Sequence, residues 1–519
     1  MTDHRETTGS TSSLLQSRSA GLLMHVTSLP GPYGIGDLGN TARSWIDLLA
    51  EAGQAWWQML PLGPTGYGDS PYQPVSSFAG NWLLISPDDL VADGLLHSDE
   101  LTHQDFAVDF VDFPAVRSYK QQLLQTVHAS FATRAGSELQ QSFSQFCEQE
   151  QHWLEEYALF QALQDRYQGA SYLTWPKELV RRDVAALSET RQQLSGAIEQ
   201  IRLAQFLVFR QAEQLKQYSH SQGIRLIGDL PFFVSPDSCD VWANPELFLL
   251  DEQFRPEYVA GVPPDYFSAE GQLWGNPVYD WEALQQTGYQ WNINRIRALL
   301  QHVDLIRLDH FRGFAAAWHI PAGSPNALKG EWVTGPASDF FTAVQQELGD
   351  LPFIAEDLGI ITADVNELRD QFQLPGTRVL QFAFDGDPRN LYLPHNFVTD
   401  TVVYTGTHDN NTTRGWYASL TDQERQIVCR MLHHSAVPEE EMAPLLLQQA
   451  WSSIAALAIT PLQDLLNLGE DARMNTPGQC EGNWRWRCTQ DMLSEPAFQS
   501  LRKLTTIVNR LPENKQNES

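Results

Sequence analysis

The chain lacks membrane-spanning segments: no apolar run in its 519 residues approaches the ~20 consecutive positions a spanning helix needs. Basic charge is also scarce. With 34 Lys and Arg against 64 Asp and Glu, the formal net charge is −30, which repels a phosphate backbone and argues against a nucleic-acid partner. A neutral substrate stays open. Cysteine is sparse too: Cys147, Cys239, Cys429, Cys480 and Cys488 show no CxxC spacing. Their odd number fits unpaired thiols in a reducing compartment, so a cytoplasmic location is expected. No fixed-period repeat is present, and no low-complexity tract lies outside the termini. Residues 1–20 are rich in Ser and Thr, carry Asp3 and Glu6, and hold no apolar segment, so they read as a disordered leader and not a signal peptide. Residues 512–519 read as a frayed tail.

What the chain does have is a set of short apolar runs that end in charge. Val303, Leu305, Ile306 and Leu308 form a run of strand length, broken by Arg307 and Asp309, with Gly313 closing the turn. Three others behave alike, stopping at Asp229, at Glu356 with Asp357 behind it, and at His408 with Asp409. One such end is as readily a solvated strand terminus or a structural ion pair as a catalytic group. Recurrence changes that balance. In a closed parallel barrel the C-terminal strand ends share one face, so the four carboxylates would converge on one pocket.

The remaining segments fit that architecture. A strand from Gly21 is followed by a helix with Trp45, Ile46, Leu48 and Leu49 at helical spacing, capped by Asn40 or Thr41 and ended by Gly53, and then by a strand from Ala55. Residues 377–384 and 456–465 supply two more strands, and the TDQE at 421–424 reads as a capping box. Eight strands in all give a (β/α)₈ TIM barrel spanning 21–511. Residues 63–222 exceed what a bare barrel needs and read as a large, mainly helical insertion on the catalytic face, between strands two and three. Residues 261–281 combine prolines, glycines and five aromatics, and read as a structureless functional loop. Phe267 and Trp281 are expected to anchor it. Trp274, flanked by Gln272, Gly275 and Asn276, offers a flat face that suits the C–H surface of a sugar ring.

Asp309 and Glu356 meet the demands of glycosyl transfer, which needs a carboxylate nucleophile and a carboxylic acid that protonates the leaving oxygen. Arg307 lies on the same strand face as Asp309 and can keep it ionised. Clustered like charge raises one carboxyl, assigned to Glu356, while Asp409 and His408 can grip sugar hydroxyls. His25 lacks such neighbours and reads as a satisfied strand-end histidine. Two other classes fit less well. An enolase-type Mg²⁺ site would use a Lys or His base, yet none of the four strand ends carries Lys. A catalytically dead carbohydrate-binding barrel would be expected to have lost a central carboxylate, and both are present.

With these residues in view, the chain resembles the amylomaltases, the disproportionating 4-α-glucanotransferases of glycoside hydrolase family 77 in the α-amylase superfamily. The likeness runs from about residue 21 to 511. It rests on DSPYQ at 69–73, SFAGN at 77–81, GDLP at 228–231, GVPPD at 261–265, GQLWGNP at 271–277, IRLDHFRG at 306–313, AEDLG at 355–359 and GTHDN at 406–410, with NTPG at 475–478 and GNWRW at 482–486. The resemblance implies that Asp309 is the nucleophile, Glu356 the acid/base and Asp409 the third carboxylate. It places Arg307, His408, Asp229 and Tyr72 around the same sugar with Ser70 close by, Gln272 and Trp274 in the loop covering the glucan, and Phe382 on the sixth strand as an inner-pocket or acceptor-side aromatic.

The implied partners are α-1,4-glucans such as maltooligosaccharides and amylose, with glucose as an acceptor; no cofactor and no metal are implied. Trp82 departs from the family's usual proline. LPFFV at 230–234 lacks the Asn-His pair of hydrolytic α-amylases, which favours a transferase over the alternative, an α-amylase-like retaining hydrolase.

Overall fold

The computed structural model describes residues 14–264, 269–479, 481–493 and 495–512. Its strands, in chain order, are β1 (Ser19–Leu23), β2 (Trp56–Gln58), β3 (Arg225–Leu230), β4 (Tyr258–Val262), β5 (Gln272–Pro277), β6 (Leu305–Leu308), β7 (Ala316–Pro321), β8 (Glu331–Thr334), β9 (Phe353–Ala355), β10 (Gly376–Val379), β11 (Thr401–Tyr404) and β12 (Leu457–Pro461). Eight of them close a parallel barrel in the order β1-β12-β11-β10-β9-β6-β3-β2. The expected (β/α)₈ architecture is therefore the observed one.

Side chains alternate across each strand, and the alternation decides what reaches the pocket. Leu23, Trp56, Ile227, Leu305, Ile354, Val379, Val402 and Leu457 fill the barrel interior as one cluster. Their neighbours Leu22, Trp57, Leu226, Ile306, Phe353, Val403 and Ala458 face the surrounding helices. Two residues beyond Ile227, Leu305 and Ile354 on the inner face stand Asp229, Arg307 and Glu356, with Asp309 two further on.

The helix expected after β1 spans Asn40–Glu51 and buries Trp45, Ile46 and Leu49, but neither Asn40 nor Thr41 caps it: Gly39 takes the cap position with no side-chain bond. The capping box at Thr421 and Glu424 is present and opens the helix Asp422–Met431. Asn81 accepts a hydrogen bond from the Leu83 N–H at 3.0 Å, so Trp82 begins a short 3₁₀ turn whose ring packs on the core.

Several expectations need correction. Strand β1 begins at Ser19, inside the stretch read as a leader, and Arg18 donates to the carbonyls of Val508 and Trp451 at 3.1 and 3.0 Å. Residues 1–13 and most of the expected tail, 513–519, lie outside the described residues. Between β2 and β3 run helices Phe113–Arg134, Ser137–Gln149, Gln151–Arg166, Val184–Gln193 and Ser195–Ser221. The last of these is a barrel helix as well, because it packs on Asn40–Glu51 and on β3. Its Tyr218 hydroxyl donates to Asp47 at 2.6 Å and its Lys216 to the Val303 carbonyl at 3.0 Å.

The segment 261–281 is not structureless. The end of β4 and all of β5 lie in it, and with β7 and β8 they form an antiparallel sheet ordered β5-β4-β7-β8. A side chain on Gly261 would run into the Gln272 backbone carbonyl oxygen of β5 and lie 2.6 Å from the Ile320 side chain of β7, so only glycine lets β5 flank β4 this closely. Both hairpins leave the C-terminal ends of barrel strands, which brings the sheet to the catalytic face. Strand β10 ends at Val379, and Phe382 sits in the 3₁₀ turn Leu380–Phe382 and not on the strand.

Close packing also fixes where β1 meets β2. A Cβ on Gly21 would lie 2.6 Å from the Trp56 Cβ and closer still to its carbonyl oxygen. Gly21→Ala is expected to cost about 1–3 kcal/mol of stability by overpacking, read by denaturant unfolding; an unchanged midpoint would contradict this contact.

Candidate active site

Asp229 and Arg307 are register partners on neighbouring strands, and this pairing founds the site. The Arg307 guanidinium nitrogen Nη1 donates to both Asp229 oxygens at 3.0 and 2.7 Å and to Asp309 Oδ1 at 3.0 Å. Both members of the first pair are buried, at 0 % side-chain exposure for Asp229 and 6 % for Arg307, whereas Asp309 keeps 28 %. Burial works against the charged guanidinium, but the charges of Asp229 and Asp309 raise its pKa above the ordinary value. Tyr72 completes the cluster by donating its hydroxyl to Asp229 Oδ2 at 2.8 Å. Burial and the Asp229 charge push that phenol well up, so it remains a donor.

Glu356 lies at the end of β9. Its Oε2 accepts from the His310 N–H at 2.8 Å and its Oε1 from the Leu358 N–H at 3.1 Å. The Phe311 N–H also donates to the Glu356 carbonyl at 3.1 Å. Burial pushes the Glu356 carboxyl up to about 8, with the Asp309 charge adding to it and Arg307 opposing. Burial raises Asp309 as well, to about 6, the adjacent Arg307 restraining a rise that Asp229 and Asp409 reinforce. One carboxyl is thereby poised to hold a proton at neutral pH and its neighbour to release one.

Asp409 follows a different rule. His408 Nε2 lies 3.2 Å from its Oδ2, and Asn475 Nδ2 donates to its Oδ1 at 2.6 Å. Although burial works the other way, these partners hold Asp409 well below the usual carboxylate range. At 47 % side-chain exposure the carboxylate opens to the cleft. The His408 ring stacks on Tyr72 at 4.9 Å and 13°, and Trp484 tilts against both rings at 5.7 and 5.9 Å. His25 is buried beside this group, its Nδ1 without a hydrogen-bond partner among the described residues, so it is not the satisfied histidine expected from sequence.

The structure thus brings Asp229, Arg307, Asp309, Glu356, His408, Asp409 and Tyr72 together. Ser70 stands beside them, its Oγ accepting from the Tyr72 N–H at 3.2 Å. Phe382 packs in the same barrel-end cluster as Tyr72. Gln272 and Trp274 come from β5; the indole N–H donates to the Gln272 Oε1 at 3.1 Å, and the ring meets His310 at 4.9 Å. Trp281 packs on Phe232, Tyr279 and Phe340, as an anchor would, and Phe267 lies outside the described residues.

Three contributors were not assigned from sequence. Asn475 and Trp484 lie in the late NTPG and GNWRW segments, whose motif character is visible but whose place beside Asp409 and Tyr72 is not. Arg473 donates to the Asp409 carbonyl at 2.9 Å and carries no local signal at all.

Comparison with known proteins agrees with the geometry. Residues 24–493 match the sequence model of the 4-alpha-glucanotransferases of glycoside hydrolase family 77. The chain is 46% identical over 501 residues to the 4-alpha-glucanotransferase of Synechocystis sp., covering 96% of this chain and 99% of that one. It is 46% identical over 499 residues to the 4-alpha-glucanotransferase of Thermus thermophilus, covering 95% and 99%. The solved amylomaltase from Streptococcus agalactiae in complex with acarbose is similar at a TM-score of 0.91 and 36% identity, covering 95% of this chain and all of that one.

Removing Arg307 would leave Asp229 buried with Tyr72 as its one remaining side-chain hydrogen-bond partner among the described residues. Arg307→Met is expected to cost about 3–5 kcal/mol at pH 7 by denaturant unfolding. A loss below about 1 kcal/mol at pH 7 would show that the pair is not the buried anchor described.

Proposed function

Because this chain belongs to the 4-alpha-glucanotransferases of glycoside hydrolase family 77, we propose that it moves α-1,4-glucan segments from one chain to the 4-hydroxyl of another by double displacement. The observation that carries this reading is the pairing of two half-buried carboxyls under different control, Asp309 beside a guanidinium and Glu356 hydrogen-bonded, among the described residues, by backbone N–H groups.

In the first step the Asp309 carboxylate attacks C1 of the donor sugar while Glu356 gives its proton to the departing glycosidic oxygen. A glycosyl ester on Asp309 results, and the leaving glucan carries the proton away. In the second step the Glu356 carboxylate takes the proton from an acceptor 4-hydroxyl, whose oxygen attacks C1 and releases Asp309. Two inversions restore the α configuration. Arg307 steadies Asp309 as an anion before attack, and Asp409 with His408 grips the hydroxyls of the transferred sugar, where contacts that tighten in the transition state raise kcat. Tyr72 and Ser70 hold the same sugar, and Trp274, Gln272 and Phe382 line the path of the chains.

Maltooligosaccharides and amylose serve as donors in this reading, and glucose serves as an acceptor. The amylomaltase from Streptococcus agalactiae, solved with acarbose bound, supports a carbohydrate ligand for this chain as well. The reaction as written needs no cofactor or metal. A cytoplasmic setting belongs to the same reading, supported by the free thiols of Cys147, Cys239, Cys429 and Cys488. Among the described residues no helix is long and apolar enough to cross a membrane.

Maltotriose in chelator-containing buffer tests the reaction. Glucose and longer oligosaccharides should form together while total reducing ends stay constant; reducing ends that rise in step with substrate loss would mean hydrolysis. Asp309→Asn and Glu356→Gln should each lower kcat at least about a hundredfold with little change in melting temperature. A loss under tenfold would remove these roles. Activity should also be bell-shaped in pH. It falls below about 6 as Asp309 takes up a proton and above about 8 as Glu356 loses one, the two limbs belonging to the interacting pair. A flat profile from pH 5 to 9 would contradict the assignment.

A further inference from the structure

His310 follows the nucleophile directly and has no part in the steps above. Its backbone is left-handed, at φ 48° and ψ 50°, a region that histidine enters more readily than most non-glycine residues. In this conformation its N–H lies 2.8 Å from Glu356 Oε2. Its side chain meets Trp274 edge to face at 4.9 Å and 84°, with Phe232 and Phe233 at 5.9 and 6.2 Å. The ring nitrogen Nε2 is buried with no hydrogen-bond partner among the described residues, so packing and not a polar contact orients the ring there. Burial and the charge of Arg312 push the imidazole down to about 4, which leaves it neutral in the working range. One residue therefore touches an aromatic of the β4–β5 hairpin with its side chain and the acid/base carboxyl with its backbone.

We propose that His310 is a positioning residue that couples the seating of a glucan against Trp274 to the placement of the Glu356 carboxyl. This inference rests on the proposed roles of Trp274 and Glu356. The imidazole wedged against Trp274 fixes the dihedral angles of residue 310, and those angles aim the N–H at Oε2. A sugar pressed on the indole tightens the wedge. Without the ring the N–H is still present but loses its fixed aim, and the proton donor sits less accurately on the leaving oxygen. The effect falls on the chemical step more than on binding.

The substitutions that test this must keep the left-handed backbone and the N–H. His310→Gly and His310→Asn do so while removing the ring, and His310→Phe keeps a ring without nitrogens. On maltotriose, the Gly and Asn variants should lower kcat about tenfold with KM changed less than twofold, and Phe should stay within about threefold of the parent. Pairing His310→Gly with Trp274→Ala should lower kcat no further than the more damaging single change, because both remove the same coupling. With α-maltotriosyl fluoride, whose leaving group needs no proton, formation of the glycosyl-enzyme should be nearly unaffected by His310→Gly.

Three results would each overturn the proposal: a Phe variant that melts like the parent yet is as impaired as Gly, multiplicative losses in the double variant, or equal loss on the fluoride. Should the unsubstituted enzyme itself fail to transfer glucose units between maltotriose molecules, the proposed reaction would be at fault and not the role of His310.

Discussion

A cation held between two carboxylates at the mouth of the barrel is the constraint on which the site depends. Charges cannot be buried singly without a penalty of several kcal/mol, so Asp229 needs Arg307 as much as Arg307 needs Asp229. Their pairing follows from the strand register, which sets the two residues opposite each other on β3 and β6. Once Arg307 is fixed, its guanidinium reaches Asp309 at 3.0 Å, and Tyr72 adds a donor to Asp229 Oδ2 at 2.8 Å. The stack of Tyr72 on His408 then carries the order across to Asp409. A catalytic group at the surface would need none of this. A carboxylate set beside a buried ion pair does.

The same network divides labour among chemically similar groups. Burial raises both Asp309 and Glu356, yet of the two Asp309 has a guanidinium in direct contact, so they are pushed apart, as the proposed anion and acid roles require. Asp409 is depressed by a histidine and an amide donor and stays charged throughout. Three carboxyls within one pocket thus present three protonation behaviours, each traceable to a named partner. The antiparallel sheet that carries Trp274 adds the wall, and it does so from two excursions of the chain at the same barrel face.

Much of this was legible in the sequence because the signals are local. Period-two alternation places Leu305, Arg307 and Asp309 on one face, and a run that stops in charge marks where a strand leaves the core. The barrel and the convergence of Asp229, Asp309, Glu356 and Asp409 follow from that pattern. What was not legible depends on pairing between distant segments. Strand β4 is a strand because β7, far along the chain, lies beside it, and 261–281 taken alone shows only glycine, proline and aromatic residues. Likewise the helix Ser195–Ser221 continues without a break from insertion to barrel, so no composition change marks the join. Asn475 reaches Asp409 across a sequence distance that no motif spacing encodes. Ser19 and Ala20, read as leader, are ordered by β12 from the other end of the chain.

The most direct measurement of the central claim is to trap the ester. Incubating the Glu356→Gln variant with α-maltotriosyl fluoride removes the need for an acid and withholds the base that would help an acceptor discharge the intermediate. Proteolysis and mass spectrometry should then find one maltotriosyl group, attached to the peptide at Asp309. A label on Asp229 or Asp409 would contradict the claim that Arg307 holds Asp309 as the nucleophile. So would steady turnover of the fluoride with no covalent species at any time.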